Sequence, residues 1–362
     1  MTGRERTLRA LSFQSVDRAP VAGGLLNNWE LLAEIAEAED FWAAPRRHLL
    51  EAFRRLGCDA ILGPVMPKRP EEMTEGPEGR ATGFSKVREL DPVRTPEEVA
   101  RRAEAAPPVE EVRGGFGQQA AYDEYVRLMV DGQREAGDML LIPHCLGYAP
   151  WFPTSSGEFD YEAFLMACAL YPEPMAHLFR SRGEQSRLRM EAVAQATGEH
   201  DLLPLLWTGT DLCGRNGPML SPALLERLYF PVLARALEPL RQAGMRVIWH
   251  CDANYRAILP QMIALGIDGF QGLYEEEGGV RLEDLARMSA ATGDPLIVFG
   301  SVLTWGALSQ GTPEDVRRDV NRCRAAVRQR GGLLLAPSSS IGPEAPSENV
   351  LAMYEHARTL VS

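Results

Sequence analysis

Short apolar runs recur along this chain, separated by amphipathic stretches, and that rhythm limits the fold more than any other feature. The runs cover residues 21–25, 60–64, 139–146, 202–208, 247–251, 269–273, 296–300 and 333–336. They are continuously apolar and rarely alternate, the pattern of strands buried on both faces. Amphipathic segments such as 222–243 and 313–330 lie between them. Ser221-Pro222 and Thr312-Pro313 mark helix starts, and Gly244 and Gly266 mark helix stops ahead of a strand. Eight strands with intervening helices predict an α/β chain folded as a TIM-type (β/α)8 barrel. A doubly wound sheet is the alternative, but no Gly-x-Gly-x-x-Gly follows the first run.

The chain has 362 residues, of which 45% are hydrophobic, enough for one large barrel spanning residues 1–362. Residues 66–83 break the rhythm with Pro, Gly, Glu and Arg, and 105–117 form a second surface connection. Together, residues 66–118 read as an excursion after the second strand, carrying a small β-hairpin and covering the mouth. A net charge of −12 argues against a general nucleic-acid binder and against an anionic membrane surface. The N-terminus leads into no apolar signal core, and no apolar run is long enough to span a bilayer. The cysteines (58, 145, 168, 213, 251 and 323) lack CxxC spacing, which suits reduced thiols and a cytoplasmic location.

In a barrel of this kind chemistry gathers where strands end. The fifth run ends in His250-Cys251-Asp252, placing imidazole, thiol and carboxylate together. Cys251 and Asp252 are adjacent on an extended segment, so their side chains point to opposite sides and one of them joins His250. His144 ends the third run, with Tyr148 and Trp151 just beyond it, and Asp211 follows the fourth. His144 and Asp211 are acid–base candidates. Asn27, Asn28 and Trp29 after the first strand, Tyr274 after the sixth and Ser339 after the eighth are substrate-binding candidates. Each has a plainer alternative: a strand-end histidine, a turn or cap residue, or a core aromatic. The acidic run Glu275-Glu276-Glu277 reads equally as a solvated loop.

Several segments in order carry a family resemblance. They are Arg4-Glu5-Arg6 with Asp17-Arg18-Ala19-Pro20, then Gly217-Pro218-Met219-Leu220-Ser221-Pro222, then His250-Cys251-Asp252-Ala253-Asn254 and Gly266-Ile267-Asp268-Gly269. Near the end come Gly311-Thr312-Pro313-Glu314-Asp315-Val316 and the segment 346–353. The chain resembles the uroporphyrinogen decarboxylase superfamily, and more closely its methyltransferase-like branch. The decarboxylases' arginine-rich loop is replaced here by Leu25-Leu26-Asn27-Asn28-Trp29-Glu30, and their aspartate after the second strand by Gly63-Pro64-Val65-Met66. Without that guanidinium clamp, porphyrinogen decarboxylation is not expected. An arginine reaching the mouth from elsewhere would restore decarboxylation as a reading.

The methyltransferases hold zinc with His-x-Cys after the fifth strand and a cysteine after the eighth. His250 matches, Asp252 stands in the cysteine's place, and Ser338-Ser339-Ser340 follows the eighth strand. The resemblance therefore implies zinc or another divalent metal on His250 and Asp252, with Glu276, or its neighbours Glu275 or Glu277, as third ligand. Such a metal would activate a thiol or polarise an oxygen. The implied function is metal-assisted methyl transfer from a small methylated donor to a thiol, or to a corrinoid carried by a separate partner protein. The implied assembly is a homodimer. A lyase or decarboxylase acting on a non-porphyrin carboxylic substrate is the alternative, and a metal-free binding or assembly barrel is a third reading.

Overall fold

The computed structural model describes residues 1–63, 65–75, 81–85, 92–153, 157–275, 279–327 and 331–360. Eight parallel strands form its centre: β1 (Ala22–Gly23), β2 (Ala60–Leu62), β3 (Leu140–Ile142), β4 (Leu205–Gly209), β5 (Arg246–His250), β6 (Gly269–Gln271), β7 (Ile297–Phe299) and β8 (Leu333–Leu334). Ladders join β1 to β2 and β2 to β3 on one side, and β4 through β8 in order on the other. Single bridges close both seams. His144 pairs with Trp207, with the Cys145 N–H donating to the Trp207 carbonyl at 3.1 Å. Val21 pairs with Leu335, with the Ala22 N–H donating to the Leu335 carbonyl at 2.8 Å. The sheet therefore has no free edge, and the fold is a TIM barrel.

Each expected run yields one strand, most of them shorter than the run because the regular ladder covers only the barrel's waist. Side chains alternate along each strand. Leu62, Ile142, Trp207, Ile248, Phe299 and Leu334 fill the barrel interior, in one cluster with Leu140 and Leu205. Ile61, Leu141, Leu206, Val247, Trp249 and Val298 pack outward against the helices. That double burial is why the runs show no polar face.

Two expectations need correction. The helix expected over 222–243 is two helices, Pro222–Leu228 and Phe230–Gln242. Pro231 has no N–H to give the Arg227 carbonyl, so the first helix cannot run on. The surface connection expected at 105–117 contains a helix, Val109–Gly115. Within the excursion, Met73–Glu75 and Ala81–Ser85 pair antiparallel as a hairpin. Its helix Pro96–Glu104 packs on the helices Tyr161–Leu170 and Pro172–Glu199, and Val93 just before it pairs with Phe159 in the loop after β3. Among the described residues no helix is long and apolar enough to cross a membrane.

The opening motif has a structural job at the opposite end of the barrel from the mouth. Asp59, just before β2 and 2% exposed, accepts hydrogen bonds from Arg6 at 2.6 Å and Arg18 at 2.5 Å. The Val21 N–H donates to the same carboxylate at 2.9 Å. Arg6 also grips Asp17, which holds that carboxyl well below the usual carboxylate range.

Candidate active site at the barrel mouth

His250 is the last residue of β5, and its register partner on β6 is Gln271. Gln271 is fully buried, and its side-chain N–H donates to the Ser338 carbonyl at 3.0 Å. A carbonyl can only accept, so the amide orientation is fixed and its oxygen faces His250 Nδ1 at 2.5 Å. An amide oxygen also only accepts, so Nδ1 carries the proton. In the neutral ring Nε2 is then a lone-pair nitrogen, free to act as a base or a ligand.

Around this imidazole the loops after β4, β5 and β8 converge. The Asp252 N–H donates to Asp211 Oδ1 at 3.0 Å, and Ser339 Oγ donates to Asp252 Oδ2 at 2.6 Å. Asp252 Oδ1 is buried without a hydrogen-bond partner and lies 3.9 Å from His250 Nδ1. Gly272 makes this approach possible: at φ +83° a side chain there would be strained, and its Cβ would sit 2.4 Å from Asp252 Oδ1. Burial raises the Asp211 carboxyl, against the opposing pull of His250, with Asp252 adding a smaller upward push. Cys251 faces the other way, 1% exposed, and contact with Cys213 together with burial raises its thiol far above the usual range.

Asp211 and His250 line a cavity of about 480 Å³ whose walls include Trp151, Phe152 and Phe159. Arg182, from the long helix Pro172–Glu199, lines the same cavity. Its guanidinium lies 3.9 Å over the Trp151 ring and pairs with Glu158 at 2.5 Å. No local pattern in the sequence singled out Arg182. Gln271, by contrast, was visible as a polar residue inside an otherwise apolar run.

The structure brings His250, Asp252, Asp211, Ser339 and Trp151 together, with His144 close by, and places the others elsewhere. His144 stacks on Trp207 at 4.7 Å, and His250 tilts against the same indole at 5.0 Å. Burial, then the nearby His250, lowers the His144 imidazole. Asn27 Oδ1 accepts from the Lys68 N–H at 2.6 Å and ties the β1 loop to the β2 loop. Asn28 is a helix cap, accepting from the Leu31 N–H, and Trp29 packs at 6.0 Å from Trp42. Neither lines the His250 cavity. Tyr148 lines a lateral cleft of about 1210 Å³ that adjoins the His250 cavity and shares Trp151, Glu158 and Arg182 with it, and Arg189 lies over the Tyr148 ring. Tyr274 sits at φ 51° in the β6 loop. Glu276 and Glu277 lie outside the described residues.

Residues 210–360 match the uroporphyrinogen decarboxylase (URO-D) family. The C-terminal part of the chain is thus similar to that family. The matched span holds His250, Asp252, Asp211 and Ser339 but not Arg182 or His144. A solved methyltransferase from Methanosarcina mazei shares the fold, with a TM-score of 0.63 at 16% identity over 99% of this chain and 98% of that one. No curated protein is significantly similar in sequence.

Against the superfamily's zinc set, the donors here do not fit. The two places where thiolates would stand are Asp252 and the serine run after β8, and those two are hydrogen-bonded to each other. Glu275, considered as a third ligand, is engaged elsewhere: Arg322 holds it at 3.0 Å and Ser301 Oγ at 2.6 Å. Among the described residues no three His, Cys, Asp or Glu side chains are placed to share a metal ion.

Proposed function

We propose that this barrel is a methyltransferase that moves a methyl group from a small methylated donor to a thiol, or to a corrinoid brought by a separate protein. The observation that carries the reading is the pairing, in one cavity, of a fixed Nε2 lone pair on His250 with the Asp211 carboxyl, whose hold on its proton burial strengthens. With a thiol acceptor, His250 Nε2 takes the S–H proton and the sulfur attacks the methyl carbon. The bond from that carbon to the donor heteroatom breaks, its electron pair leaves with the heteroatom, and the Asp211 proton neutralises it. A reduced corrinoid brings its own electron pair, so only the proton from Asp211 is needed. Asp252, held by Ser339 beside the imidazole, stabilises the imidazolium that the thiol route creates.

The test is methyl transfer from O-, N- and S-methylated donors to a thiol or a free corrinoid, followed by mass spectrometry. His250→Ala should lower kcat with a thiol acceptor by about 10²–10⁴-fold, the usual range for a general base. Turnover unchanged in that variant would sink the reading. The second reading, a lyase acting on a non-porphyrin carboxylic substrate, is favoured by one observation, Arg182 in the cavity wall. Carbon dioxide release without methyl transfer would decide for it.

A further inference from the structure

We infer that Arg182 is the anchor for a carboxylate carried by the substrate, so that the ligand of this cavity is a small carboxylate with a flat apolar body. The inference names the substrate class of the same mouth and rests on that mouth being the reaction chamber. Arg182 projects from a 28-residue helix, so its backbone is rigidly placed. Its guanidinium carbon lies 3.9 Å over the Trp151 ring, a contact that restrains the group. Among the described residues only Nη2 has a hydrogen-bond partner, Glu158, which leaves Nε and Nη1 as donors. A planar fork with free edges is the geometry that takes a carboxylate with two parallel bonds.

Glu158 does not close the site. Its side chain is 45% exposed and sits on the loop after β3, and an ion pair this open contributes little and exchanges readily. The incoming carboxylate shares or replaces it. The remaining wall sets the body of the ligand: Trp151, Phe152 and Phe159 present ring faces and edges, and about 480 Å³ suits a molecule of modest size. Asp211 and His250 lie in the same wall, so a ligand anchored at Arg182 extends its far end toward them.

The experiment is equilibrium binding by calorimetry, without donor or acceptor, comparing benzoate and phenylacetate with benzyl alcohol and benzylamine. The carboxylates should bind and the neutral and cationic analogues should not. Arg182→Gln should weaken carboxylate binding by about tenfold or more, and Arg182→Lys should fall between, since it keeps the charge and loses the fork. Glu158→Gln should tighten binding several-fold, a gain that a merely structural arginine would not produce. Carboxylate binding that persists while every methyl-transfer assay fails would sink the methyl-transfer reading alone, which separates the two. Equal binding of benzylamine, no binding of either carboxylate at millimolar concentration, or affinity unmoved by Arg182→Gln would overturn it.

Discussion

Replacing Gln271 with Leu tests the feature on which the chemistry depends, the placement of the His250 proton. Leucine has nearly the volume of glutamine, so the packing around β6 is kept while both polar contacts disappear. The Ser338 carbonyl loses its 3.0 Å donor and His250 Nδ1 loses its 2.5 Å acceptor. A neutral hydrogen bond contributes about 0.5–1.5 kcal/mol net, so the preference for Nδ1–H should fall by a factor of roughly 2–13. The orphaned buried carbonyl should cost a further ~1–3 kcal/mol of stability, lowering Tm by about 1–4 °C in a chain of this length. Two-bond ¹H–¹⁵N NMR on histidine-labelled protein reads the tautomer directly, with the His250 signal assigned by its loss in His250→Gln. The wild type should show an unprotonated Nε2 once the ring is neutral, and Gln271→Leu should show a mixture. A wild-type ring protonated on Nε2, or a tautomer ratio untouched by the substitution, would refute the argument.

Other substitutions probe the remaining contacts. Asp211→Asn should stabilise the protein, and more so at pH 8 than at pH 5. Burial raises this carboxyl, so the folded chain binds its proton where the unfolded chain has released it, and stability falls as pH rises through the folded value. Urea midpoints at the two pH values check this, and an equal gain at both would contradict it. Asp59→Asn should destabilise by about 3–5 kcal/mol in the same assay, because Arg6 and Arg18 are left beside a neutral group in a nearly closed site. A loss below ~1 kcal/mol would mean the network is open to water. Gly272→Ala should cost more than the ~1–3 kcal/mol of a strained left-handed residue alone, since its Cβ also meets Asp252 Oδ1 and the Cys251 carbonyl at 2.8 Å. It should displace Asp252 as well, seen as a change in the His250 ring signals by NMR.

The barrel was legible because strands buried on both faces cannot hide among polar residues, and each apolar run marked one. The mouth was legible in part for the same reason. His250, Asp211, Asp252 and Ser339 all follow strands closely, and strand ends converge in a closed barrel. What stayed dark came from contacts between segments distant in sequence. Glu275 looked like a loop carboxylate, and only its docking against Arg322, 47 residues on, takes it out of play. Arg182 is one of many arginines on its helix, and which of them faces the mouth depends on how that helix packs.

Gln271 is the intermediate case, and it shows where sequence reasoning could have gone further. A fully buried glutamine in the run Gly269-Phe270-Gln271-Gly272-Leu273 must satisfy its amide, and the cost of failing to do so is large enough to demand a partner. In parallel strands of matched register, the last residue of β6 lies beside the last residue of β5. Counting back from Gly272, which turns the chain at φ +83°, sets Gln271 against His250 without any reference to packing. The tautomer of His250 is therefore a consequence of strand register. A one-residue slip of β6 would turn Gln271 to the other face of the sheet and release the imidazole.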